Sequence, residues 1–319
     1  MKRIIFITLL IFLSCLSLVL IPFVRDIYSF LPFTGYLLGI GKPTSYLVIL
    51  GNDTEMRANG GFAGSYARIT LASTVENCNL KIVNCKLKIT PDVSFQDIYV
   101  PNGQLQGHVT PPDPIQKAFG HGTWELANAD WEPDFPTSAV NIRWFFEKGR
   151  EINPDILGLV NFSTIRQILN LVGSFSVPEY SAQLTPDNLY LFLQGKTETN
   201  FFPGSTQKRD TLTAVGQALI KKAKSLSLLQ KLRIAHILYT DLKNQNIMVH
   251  STNPSFQTIL VQKKLAGVLS PEAFDTYSLV ETNLGANKSN QFVKRSTNHQ
   301  ITLEDRTVRH LVTVRLQNS

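Results

Sequence analysis

Residues Tyr46 to Leu50 read YLVIL, an uninterrupted apolar run that stops at Gly51. A run this short, ended by glycine, has the pattern of a strand buried on both faces, and such a strand needs a sheet covered by helices on either side. Composition agrees without adding detail. The chain has 319 residues, 43% hydrophobic and 17% charged, with 16 prolines and 19 glycines spread along it, which excludes disorder, collagen-like repeats and coiled coil. Three cysteines exclude a disulfide-dense scaffold and a four-cysteine zinc site.

Around this strand, Tyr66 to Leu71 and Leu80 to Ile89 alternate apolar with polar, as half-buried strands of a meander do. Residues 101–114, rich in proline, are expected as surface loop, followed by a short helix at Ile115 to Phe119 and a longer one at Ser138 to Lys148. Asp155 to Asn161 is strand-like, and Ser163 to Val172 carries Ile165, Ile168, Leu169 and Val172 on one helical stripe. Thr185-Pro186-Asp187 opens a further helix, and Lys208 to Leu226 places Leu212, Val215, Leu219 and Leu226 at helical spacing. Ile234 to Tyr239 is expected as a strand, Pro254 to Leu265 as a helix, and residues 276–316 as three strands separated by NLGANKSN and EDR. No repeat of fixed period occurs. The expected class is α/β (α+β mixed): a central mixed β-sheet covered by helices, in one domain spanning 46–319.

Residues Ile4 to Ile21 form an uncharged apolar stretch of eighteen, preceded by Lys2 and Arg3. Its length just meets the requirement for one transmembrane helix, and the basic pair orients the N-terminus toward the cytoplasm. Residues 1–24 are therefore expected to be a signal-anchor in the cell membrane, 25–45 a juxtamembrane linker, and the bulk of the chain extracytoplasmic. A cleaved signal peptide is the competing reading; the run is longer than a usual signal core and no small-x-small site follows it. Outside the cytoplasm, Cys78 and Cys85 are candidates for a disulfide across a hairpin, or are two free thiols in adjacent strands. The chain stops directly after a strand at Val314 to Ser319, so a further piece of sheet is expected in a longer reading frame.

Residues 25–170 carry 12 Lys and Arg against 14 Asp and Glu, and residues 171–319 carry 17 against 10. A basic excess there favours anionic lipid headgroups, lipid pyrophosphates or wall polymers as partners. Lys221, Lys222 and Lys224 read more simply as a solvated face. Nucleic acid is not an expected partner, since no recognition motif is present.

Two stretches carry candidate chemistry. Gly51 to Ser65, GNDTEMRANGGFAGS, reads as a polar loop at a strand's C-terminal end, where α/β folds build sites. Asn52, Glu55, Arg57, Asn59, Gly60 and Gly61 are its candidate ligand-binding residues: Arg57 suits a phosphate or carboxylate, and the glycines allow close backbone approach. The alternative is a turn whose glycines serve positive φ and whose Arg and Glu pair with each other. In ANADWEPDFP, residues 127–136, Asp130 and Asp134 either hold a hard cation or act as acid and base, or Asp134 caps the next helix with Trp131 and Phe135 as core anchors. The six histidines show no metal-ligand spacing, and GxSxG and P-loop motifs are absent.

The strings YLVILGNDTEMRANGGFAGSYARITL, NADWEPDFPTSAVNIRWFFEKG, PDILGLVNFSTIRQILNLVGSFSVPE and VETNLGANKSNQFVKR occur in this order and resemble the bacterial family called domain of unknown function 4012. That resemblance implies architecture and no established activity. More weakly, the chain resembles the LytR-CpsA-Psr enzymes, which move lipid-linked glycopolymers onto the bacterial wall. This likeness implies Arg57 and Arg209 as phosphate contacts, Asp97 as a candidate acid, and magnesium as the metal where transfer occurs. The chain departs from that pattern at Ala63-Gly64-Ser65-Tyr66, where a metal-binding Asp is missing, and at Gln96, which stands in place of an Arg.

These features lead to an expectation of an envelope protein binding glycans or lipid-linked polymers, with phosphotransfer from a polyprenyl-pyrophosphate carrier as the alternative. Convergence of Arg57, Arg209 and one of Asp97, Asp130 or Asp134 on an apolar groove would favour transfer.

Overall fold

The computed structural model describes residues 25–26, 28–79, 84–120, 122–198, 206–269, 276–285, 287–305 and 307–318. The anchor expected at residues 1–24 lies outside them, as do the side chains of Cys78 and Cys85. Among the described residues no helix is long and apolar enough to cross a membrane.

The chain order is α1 (Thr34–Leu38), β1 (Thr44–Arg57), β2 (Gly60–Asn79), β3 (Asn84–Asp97), α2 (Tyr99–Asn102), α3 (Asp113–Phe119), α4 (Phe135–Lys148), β4 (Ile156–Asn161) and α5 (Phe162–Val172). There follow β5 (Phe175–Val177), β6 (Ala182–Leu184), α6 (Leu189–Glu198), α7 (Gln207–Lys224), α8 (Leu228–Lys243), β7 (Ile247–Ser251), α9 (Pro254–Gln262), β8 (Val293–Glu304) and β9 (Thr307–Asn318). The main sheet has the order β3-β2-β1-β4-β7. β1 runs antiparallel to β2 and parallel to β4, so the sheet is mixed, with YLVIL at its centre.

Both faces of YLVIL are covered. Leu47 and Ile49 join Leu157, Leu159 and Met248 under α4, whose Phe135, Ile142, Phe145 and Phe146 are fully buried against them. Tyr46, Ile156 and Val249 point to the opposite face and meet Phe256 and Leu260 of α9. A third cluster, built by Leu169, Phe175, Leu189, Ala214 and Val215, packs α5, α6 and α7 together with the β5–β6 hairpin. Each fully buried aromatic or aliphatic side chain stabilises by roughly 1.5–3 kcal/mol. Local signals fix the helix starts: Asp134 caps α4, Asn253 caps α9 with Pro254 behind it, and Ser227 with Gln230 forms a capping box on α8.

The structure differs from the sequence expectations in four places. Ile234 to Tyr239 lies inside α8, because the hydrophobic run IAHILY is continued on both sides by good helix formers and a capped start. The described residues of 276–316 hold two strands, not three; the first segment instead brings Asn283 N to Met56 O at 2.9 Å. The GNDTEMRANGGFAGS segment is not a loop, since β1 and β2 continue through it to a tight turn at Ala58 and Asn59. The segment expected as a linker is folded onto the domain: Phe30, Phe33 and Tyr36 pack their rings against Phe256, with centroids 5.1–5.9 Å away.

Candidate functional site

The site is built on an irregular hairpin. Asn52 stands opposite Phe62 and Met56 opposite Gly61, so Asp53, Thr54 and Glu55 bulge out of the β1–β2 ladder. The bulge is tied down on both sides. Asn52 Oδ1 accepts from Thr54 N at 3.2 Å and Thr54 Oγ1 at 2.8 Å, Thr54 Oγ1 meets the Tyr190 hydroxyl at 3.1 Å, and Asp53 Oδ2 accepts from Ser163 N at 3.0 Å. Asp53 thus satisfies a free N–H in the first turn of α5, where its charge also suits the helix dipole.

Gly60 and Gly61 make the bulge sterically feasible. Gly60 has φ +117°, and a Cβ there would fall on the Asn161 side-chain amide; a Cβ on Gly61 would stand 2.5 Å from the Asp53 amide nitrogen. What approaches these glycines is the protein's own chain, and neither borders the cavity described below.

Arg57 is 2% exposed and largely committed within the protein. Its Nε donates to Asn128 Oδ1 at 3.1 Å, Nη1 to Met56 O at 3.1 Å and Asn283 O at 3.0 Å, and Nη2 to Glu55 Oε1 at 3.0 Å, with the Phe62 ring 5.0 Å from its Cζ. It therefore joins three segments distant in sequence, the hairpin, the 127–136 stretch and residues 281–290, while one edge borders the cavity. Asn59 repeats the link, donating from Nδ2 to Pro133 O at 3.2 Å.

The cavity has a volume of about 890 Å³ and opens between α3, α5, α6, α7 and the β1–β3 side of the sheet. Most of its wall is apolar, with Phe95, Ile165, Leu169, Leu193, Leu212 and Val215 among the lining side chains. The polar lining residues include Asn52, Glu55, Arg57, Asn128, Lys208 and Lys288. Arg57 holds Glu55 and Asn128, and Phe62, its ring 5.0 Å from Arg57 Cζ, lies beside Gly64, whose carbonyl Lys208 meets, forming a polar end.

Lys208, not Arg209, reaches this end. Lys208 Nζ donates to Gly64 O at 2.6 Å and lies 3.2 Å from Asp97 Oδ1; burial lowers its pKa and the Asp97 carboxylate opposes that shift. Arg209 points outward from α7, pairs with Asp210 at 2.9 Å and does not line the cavity. The signal was present in the spacing, for Lys208 precedes Leu212 by four residues on the stripe of Leu212, Val215 and Leu219, and Arg209 falls off it.

The three aspartates separate. Asp97 is buried and accepts from Tyr99 N at 3.1 Å as well as from Lys208. Asp134 accepts from Thr137 N at 3.1 Å and Leu269 N at 3.0 Å, so it is the helix cap among its two readings. Asp130 is sealed beneath the polar end, with neither carboxylate oxygen hydrogen-bonded; burial pushes its pKa up to about 7 against the pull of Arg57. Among the described residues no three acidic, histidine or cysteine side chains group as a metal site. Magnesium requires several converging oxygens, and the three aspartates face an ammonium, helix N–H groups and the interior.

No curated protein matches the chain. Solved structures with which it aligns weakly include TagV from B. subtilis, at 16% identity over 71% of this chain and 80% of that one with a TM-score of 0.36. Lin1025 from Listeria innocua aligns at 10% identity over 85% and 90%, with a TM-score of 0.34. TagT, solved bound to LIIa-WTA, aligns at 15% identity over 70% and 75%, with a TM-score of 0.32. The motif resemblance read from the sequence holds for the part of the chain that builds the hairpin, α4, β4 and α5: residues 42–197 match the family described as Protein of unknown function (DUF4012).

Proposed function

We propose that this is an extracytoplasmic cell-envelope protein, anchored through residues 1–24, that binds a lipid-linked polymer by its lipid. The supporting observation is the cavity: a space of about 890 Å³ with a mostly apolar lining that also includes Arg57 and Lys208, the combination an anionic amphiphile requires. A free glycan would find few polar partners on such a wall.

Phosphotransfer is the second reading, favoured by Arg57 and Lys208 both lining an apolar groove, with Asp97 behind Lys208 at 3.2 Å. Arg209 stands outside that group, and each named aspartate is already engaged or enclosed, so this reading takes second place. Magnesium belongs only to it.

The test is equilibrium binding of an undecaprenyl-pyrophosphate analogue to the full chain in lipid nanodiscs, with and without magnesium. Binding that is lost in Leu212→Trp, which fills the cavity, and weakened in Lys208→Gln supports the lipid reading. Binding indifferent to both overturns it. A magnesium requirement accompanied by release of the phosphate carrier would move transfer to first place.

A further inference from the structure

α7 ends in Lys221, Lys222 and Lys224, and after a short corner α8 begins at Leu228. The first half of α8 is barely packed: Leu228 is 73% exposed, and Leu229 and Leu232 are each 59% exposed. At 100° per residue these three leucines fall on one stripe, with Lys231 and Arg233 on its two flanks. Between Asp210 and Asp241 the sequence has five Lys and Arg and no acidic residue. A solvated face accounts for the lysines but not for three adjacent exposed leucines. Leucines bordered by long basic side chains are what an interfacial helix presents, its apolar stripe in the acyl boundary and its cations at the phosphates.

The far end of α8 is fixed. Asp241 accepts from Thr164 Oγ1 at 2.5 Å, and Lys243, with Lys263, holds Asp26 at 2.7 and 2.9 Å. Asp26, five residues after the apolar run 4–21 in the sequence, is thereby held beside the C-terminal end of α8. A sixteen-residue helix is about 24 Å long, which keeps its leucine end within reach of the same plane. Leu219 and Ile220 of α7 line the cavity next to this corner.

We propose that the start of α8, with the lysines ending α7, is a second membrane contact that lies on an anionic bilayer surface. The leucine and charge pattern carry this without reference to what fills the cavity; only the common plane rests on residues 1–24 being an anchor.

The experiment uses the full chain carrying Leu232→Trp, reconstituted into nanodiscs of phosphatidylcholine with or without about 30% phosphatidylglycerol. Size-exclusion retention of the chain with the disc at high salt reports the anchor separately. Lipids brominated near the top of the acyl chain should remove roughly a third of the emission that the introduced indole adds over wild type, since an interfacial helix sits at that depth. The quenching should fall when Lys221, Lys224 and Lys231 are replaced by Glu, and in discs lacking phosphatidylglycerol. Added emission unaffected by bromolipid, in a variant with wild-type circular dichroism, overturns the proposal. Equal quenching without phosphatidylglycerol overturns its anionic selectivity. A photo-crosslinker at position 229 that captures a protein rather than lipid also overturns it.

Discussion

Lys208 on α7 and Asp97 at the end of β3 face each other at 3.2 Å, and the ammonium is the only one of the pair that borders the cavity. Asp97 holds the lysine in place and offsets the burial that lowers its pKa. A ligand phosphate at the polar end would then meet a positioned cation. Replacing Lys208 with Gln should weaken an anionic amphiphile about tenfold, as loss of one charge-assisted hydrogen bond does. Isothermal titration with a polyprenyl phosphate checks this, and unchanged affinity would remove Lys208 from the site.

Arg57 behaves differently. It is buried and joined to Glu55, Asn128 and Asn283, so Arg57→Ala strands the Glu55 carboxylate and should destabilise the fold by about 3–5 kcal/mol. Urea unfolding measures this directly.

Gly60 tests whether the hairpin tip is built by packing. Gly60→Ala places a Cβ on the Asn161 amide at a φ of +117° and should cost about 1–3 kcal/mol. The ligand affinity of the remaining folded protein should be unchanged, because Gly60 does not border the cavity.

Two buried groups titrate in opposition. Burial raises the Asp130 pKa from 3.8 to about 7, so between these values the folded state holds a proton that the unfolded state has released, and stability falls as pH rises. Burial, with Arg143 nearby, lowers the His250 pKa from 6.5 to about 4, so in that window the unfolded state holds the extra proton and stability rises with pH. Each slope is at most about 1.4 kcal/mol per pH unit, and they largely cancel from pH 4 to 6.5. Asp130→Asn removes one of them. Its unfolding free energy, relative to wild type, should rise with pH across 4 to 7 in denaturant titrations; a flat difference would show that Asp130 ionises normally.

Much of the architecture was legible from local pattern. YLVIL announced a central strand because five apolar residues in a row have no exposed face, and Asp134 with Pro136 offered a helix start as one of two readings of that stretch, because the cap and the proline act within one turn. The error at Ile234 to Tyr239 has the same origin. Six residues of mostly apolar character satisfy either period, and only the capped start at Ser227 and the tether at Asp241 make them helical.

The candidate site was legible as residue types but not as an arrangement. The sequence by itself determined that a bulky strand would be followed by Arg, Glu and paired glycines, and that acids would cluster at 127–136, because these depend on neighbours a few residues apart. Tertiary structure decided which of them meet. Arg57 finds Asn128 and Asn283, at 71 and 226 residues' separation, and Lys208 rather than Arg209 turns inward to Asp97, 111 residues away. Such pairings follow from how helices seat on the sheet, and the buried surface that seats them is summed over the whole core, so no window along the chain contains it.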